Sequence, residues 1–104
     1  MNFTEDLLKD LSEHLHSTAR DIEREAEKEG SIQEDVEATV HTLRKLARQI
    51  EVINYQPFIF SSILEEYDLD VGPLDEPLEN VPLHINDTSP TAQVIIKWRL
   101  SNGV

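Results

Sequence analysis

The side chains of this sequence that could carry chemistry are four histidines, a dense set of carboxylates and the adjacent Ser61 and Ser62. There is no cysteine, which removes disulfides and thiolate chemistry. His14 and His16 stand two residues apart, so on a helix they point to different faces and do not form the i, i+4 pair that chelates one ion. In an antiparallel hairpin centred on Gly30-Ser31, His41 lies roughly opposite Ala19 and Arg20, about a turn from His16, and we read no zinc site there. Asp68, Asp70 and Gly72, with Glu79 eleven residues after Asp68, are similar to a calcium loop. Pro73, however, stands at the sixth position, where an EF-hand requires Gly. Ser61 and Ser62 have no nucleophile-elbow glycines, and the three glycines form no phosphate-binding loop. The expectation is a protein that is not an enzyme, with no catalytic residue, no metal ligand and no cofactor.

Charge is the more informative chemistry. The 104 residues hold 21 acidic and 9 basic side chains, a net charge of -12, which disfavours direct binding to nucleic acid or to an anionic membrane. Between Arg48 and Lys97 stand Glu51, Glu65, Glu66, Asp68, Asp70, Asp75, Glu76, Glu79 and Asp87, without one Lys or Arg. Such a stretch either keeps the protein soluble or faces a basic protein partner, where complementary charge speeds encounter and sets specificity.

The elements that position these residues begin with two amphipathic helices over 2–54. Asn2 or Thr4 caps the first, Glu5 and Asp6 complement its macrodipole, and Leu8, Leu11, Leu15, Ala19, Ile22 and Ala26 form one apolar stripe. The first helix should stop near Glu29, with Gly30 past its end. Ser31 and Glu34 have capping-box spacing, so a second helix should start at Ile32. Its stripe is Ile32, Val36, Val40, Leu43, Ala47 and Ile50, and it should run to about Asn54, because Pro57 and its effect on Gln56 oppose continuation. A two-residue hinge folds the pair back antiparallel. Two helices seal only one side of each other, so either the rest of the chain covers them or two copies form a four-helix bundle. We expect a homodimer.

Residues 55–67 are dense in Tyr55, Phe58, Ile59, Phe60, Ile63, Leu64 and Tyr67, and read as a short lid helix over the hairpin, with an exposed partner-binding patch as the alternative. Residues 68–80, with Gly72, Pro73 and Pro77 among acids, read as an acidic loop, either laid along the surface or locally disordered. Residues 81–104 read as strand. Val81, Leu83 and Ile85 alternate with polar positions or Pro, as do Val94, Ile96, Trp98 and Leu100 with the residues between them, and Asp87-Thr88-Ser89-Pro90 is turn chemistry.

The sequence thus predicts a single α+β domain, mainly α: a two-helix hairpin, a short helix and a C-terminal β-hairpin. Its expected function is that of an inhibitor or regulator covering a basic surface of a protein partner. The candidate contacts are Glu65, Glu66, Asp68, Asp70, Asp75 and Glu76, with Tyr55, Phe58, Phe60 and Tyr67 as apolar anchors. The alternative is a structural or assembly module that homodimerises through its hairpin. No apolar run approaches the ~20 residues needed to span a bilayer, and the N-terminus shows no signal-peptide pattern, so a cytoplasmic location is expected.

Overall fold

Thr4 starts the first helix: its Oγ1 accepts a hydrogen bond from the Leu7 N–H at 3.3 Å, and Glu5 and Asp6 occupy the first turn. In the computed structural model, which describes residues 3–30, 33–78 and 89–104, that helix is α1 (Glu5–Lys28). It ends as its punctuation predicts, with Glu29 as C-cap and Gly30 at φ +83°, a conformation that favours glycine. The second helix, α2 (Glu34–Val52), is preceded by Gln33, which makes no side-chain cap bond. The expected Ser31 capping box lies outside the described residues.

Helix α2 stops two residues before the expected Asn54. Asn54 and Tyr55 both take left-handed φ values, 57° and 58°, and the Tyr55 N–H reaches back to the Ile50 carbonyl at 3.1 Å. This reversal feeds α3 (Pro57–Glu66), where Pro57 sits in the first turn, in which a missing N–H costs nothing. Asp68, at φ 55°, closes α3, with the Leu69 N–H bonded to the Leu64 carbonyl at 2.9 Å and the Asp68 N–H to Glu65 at 3.1 Å.

Two side-chain pairs set the register of the hairpin. His16 Nε2 lies 3.2 Å from Glu51 Oε1, and Arg44 pairs with Glu23. In both pairs the residue numbers add to 67, as an antiparallel arrangement demands. The register is shifted from the one expected for a hairpin centred on Gly30-Ser31. His41 therefore stands level with Ala26 rather than with Ala19 and Arg20.

The main correction concerns the C-terminal segment. No strand occurs among the described residues, so the fold there is all-helical and the α+β reading is overturned. The expected second strand, Val94 to Leu100, belongs to α4 (Pro90–Asn102). The expected first strand, Val81 to Ile85, lies outside the described residues. Ser89 and Pro90 serve as helix start rather than hairpin turn: Ser89 Oγ accepts from the Ala92 N–H at 3.5 Å, and Pro90 occupies the first turn. At the other end Gly103, at φ 67°, is the left-handed cap. Helix α4 buries Thr91, Ala92, Ile95, Ile96, Trp98 and Arg99. Their spacing follows the helical period, and an apolar run this short fits either period when read alone.

Leu8, Leu11, Leu15 and Ala19 of α1 meet Val40, Leu43, Leu46, Ala47 and Ile50 of α2 in one buried cluster. Phe3, Phe60, Ile63, Leu64, Val71, Leu78, Ala92, Ile95, Ile96, Trp98 and Val104 complete it. The apolar seam of the hairpin is therefore covered by α3, α4, Val71 and Leu78 of the same chain. Phe3 is the aromatic hinge of this cover, with ring centroids 5.8 Å from both Phe60 and Trp98. The Trp98 indole N–H donates to Asp10 Oδ2 at 2.7 Å, tying α4 to α1. No helix among the described residues is long and apolar enough to cross a membrane.

Candidate functional site

The acidic segment after α3 is laid along the surface, and its backbone is held from below. Val71 and Leu78 are buried in the core at either side of it. Between them Arg99, fully buried, reaches out of α4 and donates to four main-chain oxygens. Its Nη1 binds Val71 O at 2.6 Å, and its Nη2 binds Pro73 O and Glu76 O, both at 2.8 Å. The Nε binds Val104 O at 2.9 Å, an oxygen that also accepts the Leu78 N–H at 3.2 Å. The guanidinium lies 5.2 Å from the Phe3 ring centroid. Burial lowers the Arg99 pKa from its ordinary value, since desolvation disfavours the charged form. With five N–H donors in a rigid fork, arginine is the side chain suited to gather several carbonyls of one turn.

This arrangement sorts the segment by direction. Main-chain oxygens of Val71, Pro73 and Glu76 turn inward to Arg99, while the side chains of Asp70, Asp75 and Glu76 are exposed. Asp70 Oδ1 also accepts the Gly72 N–H at 3.3 Å, which helps shape the turn. Glu65, Asp70 and Asp75 line one shallow cleft between α3 and this segment, together with Ser61, Leu64, Leu69 and Leu74. Glu66 and Asp68 are exposed beside it. The six expected acidic contacts are thus all on the surface, and three of them share a cleft.

The four expected aromatic anchors are separated. Phe58 is 87% exposed. Tyr55 is half-buried, with Lys9 Nζ 5.4 Å from its ring centroid. Tyr67 is also half-buried; Lys45 Nζ lies 5.9 Å from its ring, and its hydroxyl is buried without a hydrogen-bond partner among the described residues. Burial, and secondarily Glu66, raises the Tyr67 pKa above its ordinary value. Phe60 is fully buried in the core and presents no surface. Ile59, next to Phe58 and not named among the anchors, is 42% exposed, and Val52 at the end of α2 is 82% exposed. The helical register of α3 holds the signal that finds Ile59, because positions 58, 59, 62, 65 and 66 share the face opposite Phe60, Ile63 and Leu64.

The three described histidines are dispersed. His16 pairs with Glu51, His14 Nε2 lies 3.4 Å from Thr18 Oγ1, and His41 lines a separate cleft with Thr42, Lys45 and Tyr67. Among the described residues no group of three or more histidines and carboxylates could hold a metal ion. Compared with family models, curated proteins and solved structures, the chain matches none of them.

Proposed function

We propose that this chain is a small non-catalytic binding protein that covers a basic surface of a protein partner, as an inhibitor or regulator does. One observation carries the reading. Glu65, Glu66, Asp68, Asp70, Asp75 and Glu76 are all exposed over α3 and the following turn, while Arg99, beneath that turn, is buried and committed to main-chain oxygens. The surface therefore presents carboxylates whose backbone is already ordered, so little conformational entropy is lost when a partner docks. Complementary charge then raises the association rate and excludes anionic competitors.

The test is a pull-down with tagged protein from an extract of its source organism, washed at rising salt. A stoichiometric basic protein released by salt supports the reading. A Glu65→Lys, Asp70→Lys, Asp75→Lys variant should lose that partner while its far-UV spectrum stays unchanged. Full capture by the folded triple variant would remove the acidic surface from consideration.

A further inference from the structure

The outward face of α3 combines two kinds of recognition chemistry. At its N-terminal end Phe58 and Ile59 stand exposed. At its C-terminal end Glu65 and Glu66 are exposed, two turns or roughly 10 Å along the helix from Phe58. Between them lie Ser61 and Ser62, both exposed and both small. An aromatic ring held 87% in water is not explained by the core, which Phe60 fills from the same helix.

Building on the acidic-surface reading, we propose that this face is a docking site for an amphipathic helix of a basic protein. The apolar stripe of that helix closes over Phe58 and Ile59, and its Lys or Arg residues two turns away meet Glu65 and Glu66. The small side chain of Ser62, on that face between the apolar and the acidic residues, lets the two helices approach side by side. Charge selects this occupant over a second copy of the chain. Glu65 and Glu66 share the outward face of α3 with Phe58 and Ile59, so two such faces would bring like charges together in a molecule of net charge -12. The same carboxylates repel a nucleic acid. Phe58 is the residue on which the affinity concentrates, as an aromatic side chain rimmed by charges.

The experiment titrates isotope-labelled protein at low salt with two probes: a synthetic amphipathic leucine–lysine peptide of helical period, and oligolysine of equal charge. Amide shifts and affinities are read for the native chain and for Phe58→Ser, whose unchanged thermal midpoint checks that the fold is kept. The expected result is stronger binding of the amphipathic peptide, shifts centred on α3, and a loss of roughly tenfold or more in Phe58→Ser with little change for oligolysine. Equal affinity of the two probes, unaffected by Phe58→Ser, would overturn the docking site and leave the acidic surface standing. Shifts confined to the far end of the hairpin would overturn it as well. Binding of neither probe would overturn both readings.

Discussion

Arg99 shows how one buried side chain can govern a whole segment. Its charge is met by four main-chain oxygens at 2.6–2.9 Å. Hydrogen bonds to a charged group contribute about 1.5–3 kcal/mol each, and truncation also strands the oxygens. Arg99→Met should therefore destabilise the protein by about 3 kcal/mol or more and release residues 71–78 to limited proteolysis, with the urea midpoint as the second readout. Arg99→Lys should rescue only a minor part of this, because an ammonium on a flexible stem does not reproduce the fork. Tyr67 makes the opposite case. Its buried hydroxyl bonds nothing among the described residues, so Tyr67→Phe should raise stability at neutral pH by about 1 kcal/mol, measured by denaturant unfolding. The pH sign follows from the raised pKa. Above the unfolded tyrosine value, ordinarily 10.0, the unfolded chain loses its proton first, so stability falls as pH rises from there through the folded value. Tyr67→Phe should remove that component of the alkaline loss, visible as a flatter stability–pH curve.

At the scale of elements, α4 is the instructive case. Val94, Ile95 and Ile96 are three β-branched residues in a row, and Arg99 interrupts what would otherwise be a visible helical stripe. Counting Arg99 as an outward polar residue leaves Val94, Ile96, Trp98 and Leu100 alternating, the pattern of a half-buried strand. In the folded chain Arg99 is inside and Leu100 is 43% exposed, so the helical face exists only once the arginine has carbonyls to bind. The punctuation was legible all along: Ser89-Pro90 at the start and Gly103 at the end are helix boundaries. Ser89→Ala should cost about 1 kcal/mol, read from thermal or chemical unfolding, through loss of the cap bond to Ala92. The hairpin and α3 were legible because their stripes are long or bounded by Pro57. The candidate site was legible in part: the carboxylates follow from sequence, and the helical period places exposed Phe58 and buried Phe60 on opposite faces of α3, which a reading of composition alone does not separate.

The whole molecule is a strongly charged one. A net charge of -12 on a chain of 104 residues repels itself in the compact state, and between Arg48 and Lys97 no Lys or Arg offsets the acids. Added monovalent salt screens that repulsion, so the thermal midpoint should rise between low and physiological ionic strength. Salt should act in the opposite direction on partner binding, weakening it. Leu15 and Leu43 are fully buried in the single cluster that α1, α2, α3 and α4 share. A charge at either position should therefore unfold the chain outright, as circular dichroism would report, and should not yield a folded protein with an altered association state.

By itself the sequence determined the hairpin, the short helix after it and the acidic surface, because each depends on local signals: apolar period, caps, proline and the run of carboxylates. Tertiary structure decided three things. It set the hairpin register through the pairs His16–Glu51 and Glu23–Arg44. It made residues 90–102 helix rather than strand, because burying Arg99 requires oxygens from residues 71–76 that are distant in sequence. And it brought Phe3, Phe60 and Trp98, from three distant parts of the chain, into one aromatic cluster. Local propensity and period cannot carry these choices, since each is made by contacts between residues far apart along the chain.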